Sequence, residues 1–337
     1  MIPRACTLAA LLAALLLVPL ASSAAASGHV ATLVEFDASA GQLPEGLAVG
    51  RGGDVFVSFA PLGQLAEIEF DEGPSPTVEP VGSVPGVDPA VDIGLLGLAI
   101  GPRGDVHGAV VAPAAQGVWR FDERSATPER LAGTEAIGFP NGLAFDRDGN
   151  LYVASSAEDP SPTGAFRGGI WRIARDGSVE RLLVDEALGG TGVILPTGVG
   201  ANGIAYCDGA LYVTNTEKGL LLRIDVGEDG SLGDPAVVAS GAELVGADGV
   251  ALDARGNAYV AVISQSTVVR VSPDGAVEPV ADASDGLDWP SSVAFGPGAD
   301  GPLYAVNFAI GPQFGSPPGA GPALLTIDVS GRGGPAR

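Results

Sequence analysis

Positive charge, sulfur and imidazole are all scarce in this chain. Its 337 residues carry 17 Lys and Arg against 40 Asp and Glu, a formal net charge of −23. A surface so acidic repels nucleic acid and anionic lipid, which sets both aside as partners. The one lysine, Lys218, leaves almost no candidate for lysine-based covalent catalysis. Cysteine is limited to Cys6 and Cys207, and histidine to His29 and His107. After the N-terminal region no apolar run approaches the ~20 residues that a membrane-spanning helix needs.

The N-terminal region reads as an export signal. Residues 1–26 begin with a basic Arg4, continue through an apolar run over 8–20, and end on Ser23, Ala24, Ala25 and Ala26. That is the layout of a secretory signal peptide with a small-residue cleavage site, and no Cys stands there to take a lipid anchor. The expectation is a soluble monomer, secreted or periplasmic, folded as one domain over 27–337. Export removes Cys6, so no intrachain disulfide can form, and Cys207, in an apolar context, reads as a small core residue.

What the chain has in abundance is turn chemistry, with 51 Gly and 27 Pro, and a repeat. One phrase recurs six times: EGLAVG at 45–50, LGLAIG at 96–101, NGLAFD at 141–146, NGIAYC at 202–207, DGVALD at 248–253 and SSVAFG at 291–296. The intervals of 43 to 61 residues suit a four-stranded propeller blade of roughly 40–50 residues. A Gly/Asp/Asn turn follows each phrase, then alternating segments such as LYVA at 151–154 and LYVT at 211–214. Period-two alternation bounded by turn residues is the strand signature. The predicted fold is all-β, a six-bladed propeller of four-stranded blades. The last blade runs out of chain after three strands. The apolar segment at 30–36 supplies the fourth, so the N-terminal strand closes the ring and hides its edges.

Strand order assigns the loops to faces. The first residue of each phrase begins an innermost strand, and the first hairpin turn lies at the opposite end. Asp146, Asp148, Asp253 and Asp274 fall in hairpin turns and read as turn-forming residues. Asp146, Asp148 and Asn150 resemble the start of a calcium-binding loop, but Ala157 stands where its twelfth-position Glu is required. His107, in the second strand of blade two, reads either as a catalytic base or, in line with the usual burial of His, as a strand residue packed between blades. The long irregular loops at 155–168, 185–201 and 308–321 gather on the face where the phrases start, which marks that face as functional.

Around the ring the phrases begin Glu45, Leu96, Asn141, Asn202, Asp248 and Ser291. Five of these six bear side-chain oxygen, and burying them at an axis is costly without a partner. A water-filled hole is one way to satisfy them. A hard divalent cation such as Ca²⁺ is the better fit to two carboxylates and two amides. With no Cys or His in the set, zinc, copper and haem do not suit it.

These residues carry a resemblance. The chain is similar to the calcium-dependent six-bladed propeller hydrolases: gluconolactonases and regucalcin, diisopropyl fluorophosphatase, and more distantly the paraoxonases. The resemblance implies a catalytic divalent ion held by Glu45 in PEG, Asn141 in PNG, Asn202 in ANG and Asp248 in ADG. It implies hydrolysis of a small lactone or ester, with Asp248 as ligand and as general base or nucleophile. The chain departs from the pattern at Phe139, where sugar-lactone members often carry Arg, and at Ser291 and Ser292, where some relatives carry Glu or His. Asn215 and Asn307 end second strands on the same face. They are candidates, with Ser291 and Phe139, for orienting substrate or supporting the ligands; the alternative for the two Asn is capping of strand ends. A non-catalytic binding module with a structural calcium ion stands as the rival to the hydrolase, since fold does not fix function.

Overall fold

The computed structural model describes residues 29–70, 76–122, 127–161, 166–297 and 301–329. The expected export signal, and Cys6 with it, lies outside them.

The first strand of the chain, β1 (Val30–Glu35), stands apart from the six phrases, and each phrase then opens a four-stranded antiparallel sheet. Blade 1 contains β2 (Pro44–Val49), β3 (Val55–Phe59), β4 (Gln64–Glu69) and β5 (Thr77–Ser83). Blade 2 contains β6 (Gly94–Ile100), β7 (Val106–Val111), β8 (Gly117–Phe121) and the short β9 (Glu129–Arg130). Blade 3 contains β10 (Pro140–Phe145), β11 (Leu151–Ser155), β12 (Gly168–Ile173) and β13 (Val179–Asp185). Blade 4 contains β14 (Ala201–Cys207), β15 (Ala210–Asn215), β16 (Leu220–Asp225) and β17 (Ala236–Ser240). Blade 5 contains β18 (Ala247–Leu252), β19 (Ala258–Val262), β20 (Thr267–Val271) and β21 (Val277–Ala281). Blade 6 has β22 (Pro290–Phe295), β23 (Leu303–Asn307) and β24 (Ala323–Ile327) from the C-terminal end, and β1 as its outermost strand. The described residues include short 3₁₀ turns but no α-helix.

Closure follows the sequence expectation. β1 pairs antiparallel with β24, Val30 opposite Ile327 and Glu35 opposite Ala323. The strand that the C-terminal blade lacks thus comes from the other end of the chain, and β24 is paired on both of its edges.

Burial explains why the second strands are apolar on both faces. β3, β11 and β19 are buried at every residue, because each blade is covered by a neighbour on either side. Between blades 1 and 2, Phe56, Leu65, Leu95, Val110 and Trp119 form one such shared layer. The outermost strands β5 and β17, by contrast, are mostly exposed or half-buried. Cys207 is buried in the layer between blades 4 and 5, as the sequence suggests.

The six innermost strands contact one another in a closed ring, β2–β6–β10–β14–β18–β22 and back to β2. Each departs from regular pairing at the start of its phrase. In blade 3, Pro140 faces Ser155 and Leu143 faces Val153, so Asn141 and Gly142 together oppose one residue. The same two-against-one bulge contains Glu45, Leu96, Asn202 and Asp248, and in blade 6 the irregularity falls at Ser291. A bulge bends its strand and re-aims side chains. Here it does so at the same place six times.

The glycine after each ring residue is required by close approach. A Cβ on Gly142 would meet the Asn202 carbonyl oxygen at 2.3 Å, and one on Gly203 would meet that of Asp248 at 2.3 Å. Each inner strand packs its glycine against the backbone of the next blade's ring residue. Only blade 6, with its shorter irregularity, tolerates a side chain there, at Ser292.

Candidate metal centre

The bulges bring the four expected ligands into one buried ring. Glu45, Asn141, Asn202 and Asp248 are each only 4–6% exposed. Glu45 belongs to blade 1 and Asp248 to blade 5, with blade 6 between them, yet the Asp248 charge acts directly on Glu45. The two carboxyls therefore lie near each other despite the blade between them. Burial pushes the Glu45 carboxyl well above its ordinary range, and the nearby Asp248 carboxylate pushes it the same way. Burial also raises Asp248, opposed by the amide of Asn202 beside it. One oxygen of Glu45, Oε2, is buried with no hydrogen-bond partner.

Two carboxylates held together out of water, with an orphaned oxygen, have an unmet need for positive charge. Among the described residues no three His, Cys, Asp or Glu side chains gather into a cluster. The ring offers two carboxylates and two amides, an all-oxygen donor set that fits a hard divalent cation of the calcium class.

A belt of hydroxyl groups holds the ring from behind. Asn202 Nδ2 donates to Thr216 Oγ1 at 2.9 Å, and Thr216 Oγ1 donates in turn to the Ala247 carbonyl at 2.8 Å, next to Asp248. Blade 3 repeats this more loosely. Asn141 Nδ2 lies 3.5 Å from Ser156 Oγ, which donates to the Ala201 carbonyl at 2.7 Å, next to Asn202. Thr214 Oγ1 donates to the Asp248 carbonyl at 2.6 Å and Ser58 Oγ to that of Leu96 at 2.9 Å. Ser291 Oγ donates to the Glu45 carbonyl at 2.8 Å. Each hydroxyl thus binds the backbone of the following blade at or beside its ring residue, which fixes the ring's diameter. Ser156 and Thr216 were not singled out from sequence. The signal was available: LYVASS at 151–156 and LYVTNT at 211–216 place a hydroxyl at the same sixth position.

Ser291 therefore positions the Glu45 backbone rather than pointing a free hydroxyl at the axis. Asn215 and Asn307 are fully buried, and their amides are committed to backbone groups. Asn215 Nδ2 donates to the Ala187 and Gly189 carbonyls at 2.8 and 3.0 Å, and its Oδ1 accepts from Lys218 N at 3.0 Å. Asn307 Nδ2 donates to Gly286 O at 2.9 Å, and its Oδ1 accepts from Asp288 N at 2.9 Å. These are the bonds of strand-end capping, and they brace the loops around the ring.

Phe139 lies in an apolar wall on the same face. It packs with Leu96, itself a ring position, and with the partly buried Phe166, Leu195, Val199 and Phe308. Arg167 is paired with Asp159 at 3.3 Å, and Lys218 donates to the Glu186 carbonyl.

The hairpin acids take no part in the ring. Asp146 Oδ1 accepts from Asp148 N at 2.9 Å and Asn150 N at 2.8 Å, and Asp253 Oδ1 accepts from Arg255 N and Asn257 N at the same two distances. Both are turn-forming residues, as expected. His107 is buried in β7, edge-on to Phe145 at 5.2 Å, with Asp105 at 3.6 Å from Nε2.

The model of the SMP-30/Gluconolactonase/LRE-like region matches residues 91–306, close to two thirds of the chain. This chain belongs to that family. The matched span contains Asn141, Asn202 and Asp248, while Glu45 precedes it. No curated protein matches the sequence. Among solved structures, a luciferin-regenerating enzyme superposes with a TM-score of 0.64 at 17% identity, covering 89% of this chain and 96% of its own. A calcium-binding regucalcin from Agrobacterium tumefaciens gives 0.60 at 19%, covering 88% and 92%. A gluconolactonase from Xanthomonas campestris gives 0.60 at 18%, covering 89% and 88%. At these identities the likeness establishes the six-bladed fold.

Proposed function

We propose that this family member is an exported, metal-dependent hydrolase of lactones or related esters. The observation that carries the reading is the buried pairing of Glu45 and Asp248 across the axis, completed by the Asn141 and Asn202 amides. Glu45, Asn141, Asn202 and Asp248 are the residues that would hold a calcium-class ion. Such an ion supplies Lewis-acid polarisation of an ester carbonyl.

The remaining chemistry falls to the chain. Asp248 accepts a proton from the attacking water as its oxygen bonds to the carbonyl carbon. The acyl C–O bond then breaks, and the proton passes from Asp248 to the departing alkoxide, leaving a hydroxy acid from a lactone, or an acid and an alcohol from an open ester. Glu45, Asn141 and Asn202 keep their roles as ligands, and the hydroxyl belt keeps the four in register. Export rests on the leader-like composition of residues 1–26.

Metal content of the purified protein, measured together with hydrolysis of a lactone and ester panel before and after chelation, tests this reading. Bound metal with chelator-sensitive hydrolysis supports it. Bound metal with no hydrolysis of any substrate overturns it in favour of a binding module with a structural ion.

A further inference from the structure

Glu217 follows Thr216, the residue whose hydroxyl receives the Asn202 amide. Its carboxylate gathers six donors from one short segment. Oε2 accepts from Thr191 N at 2.5 Å, Thr191 Oγ1 at 2.7 Å, Gly192 N at 2.8 Å and Val193 N at 3.3 Å. Oε1 accepts from Ile194 N at 3.0 Å and Val199 N at 2.9 Å. The Glu217 backbone N–H completes the tie by donating to the Val199 carbonyl at 3.2 Å. Residues 189–200 form no helix or strand, so this side chain takes the backbone N–H groups that secondary structure would otherwise satisfy.

Six donors exceed the roughly four lone-pair sites of a carboxylate. Glu217 has no acceptor capacity left for substrate, and its task is therefore structural support of something else. Burial alone would raise its pKa, but the bonds from Thr191, Val199 and Ile194 outweigh that and hold it below the ordinary range. The carboxylate is the form that fits. What it holds is known from the packing: Leu195 and Val199 lie within the clamped span, and both join Leu96 and Phe139 in the apolar wall beside the ring.

We propose that Glu217 is a positioning residue that sets substrate class, clamping segment 191–199 so that Leu195 and Val199 complete an apolar wall for the alkyl part of a neutral lactone or ester. The proposal rests on the hydrolase reading above. It follows from the wall's own chemistry, since Leu96, Phe139, Phe166, Leu195, Val199 and Phe308 offer hydrocarbon surface to a substituent beside the ring. A hydrocarbon substituent gains there by leaving water, at a discrimination of about tenfold or more per methylene pocket.

The test compares wild type with Glu217→Gln and Glu217→Asp. The Gln side chain keeps one acceptor and turns an NH₂ donor toward backbone N–H groups. In Glu217→Gln, kcat/KM for γ-nonalactone relative to γ-butyrolactone should fall about tenfold, chiefly through KM. Hydrogen exchange at the amides of 191–194 and 199 should accelerate. Calorimetric binding of the lactam analogue of γ-nonalactone should weaken in parallel, and Glu217→Asp should recover part of each effect. An unchanged selectivity ratio, or wild-type preference for gluconolactone over γ-nonalactone, overturns the proposal while leaving the hydrolase intact. If wild type hydrolyses no ester or lactone, the hydrolase reading fails. Lactam binding and exchange then decide the role of Glu217: unchanged values in Glu217→Gln overturn it, and weakened binding with faster exchange sustains it.

Discussion

The Thr214 hydroxyl of blade 4 donates to the backbone carbonyl of Asp248 in blade 5 at 2.6 Å. Both groups are buried, so neither has water to replace the other. Thr214→Val keeps the shape and removes the donor. The loss of a buried bond that leaves a carbonyl unsatisfied costs on the order of 1–3 kcal/mol. The variant should melt several degrees lower and bind calcium more weakly, because the Asp248 backbone loses its anchor. A variant with wild-type melting and wild-type calcium affinity would show that the belt does not set the ring.

Asp248→Asn separates charge from shape at the ring itself. Asn already stands at two equivalent bulges, so the fold should survive. Hydrolysis should fall by about 100-fold or more, the scale of losing a general base, and calcium affinity should fall with it. The comparison is Asp253→Asn on the far face. The structure shows Asp253 fully buried and bonded to its own turn, so that variant should lose stability yet keep its activity per folded molecule. Equal activity in wild type and Asp248→Asn would sink the assignment.

His107 predicts a pH dependence remote from the ring. Burial is the main cause that holds its pKa down at about 4, against an ordinary 6.5, with Asp105 opposing and Arg120 and Arg103 assisting. The unfolded chain therefore takes up a proton between these two values that the folded chain refuses. The stability this represents is complete above pH 6.5 and is lost as pH falls to about 4, with a total on the order of 3 kcal/mol. Melting temperatures measured from pH 7 to pH 4 should fall less steeply in His107→Leu than in wild type. Parallel curves would show that His107 does not charge on unfolding in this range.

Removal of residues 30–36 tests closure. The deletion strips β1 from β24 and exposes an edge in blade 6. The truncated protein should aggregate or lose its cooperative melt. An unchanged melting curve would mean that three strands suffice for that blade.

Much of this architecture was legible in the chain. Six copies of one phrase announced six inner strands, and the period of each interval announced four-stranded blades. The three strands of the last blade, set against an apolar strand at 30–35, announced the closure between β24 and β1. The ring residues were legible for the same reason: a repeat puts equivalent positions at equivalent places, so Glu45, Asn141, Asn202 and Asp248 had to share one end of the axis.

The supports of the site were less legible, because they join residues that no repeat places side by side. Ser156 and Thr216 act across blade boundaries, and Asn215 and Asn307 proved to be spent on loop carbonyls. Glu217 is the extreme case. Its partners lie 18 to 26 residues away in an irregular segment that carries no periodic signal.

The sequence by itself determined the number of blades, the strand order, the closure and the identity of the ring. These depend on local pattern repeated along the chain, and local pattern survives being read one residue at a time. Only the tertiary structure decided which polar side chains remain available at the axis and which are consumed in holding it. That choice turns on hydrogen bonds between segments far apart in sequence, whose geometry exists only after the blades have packed.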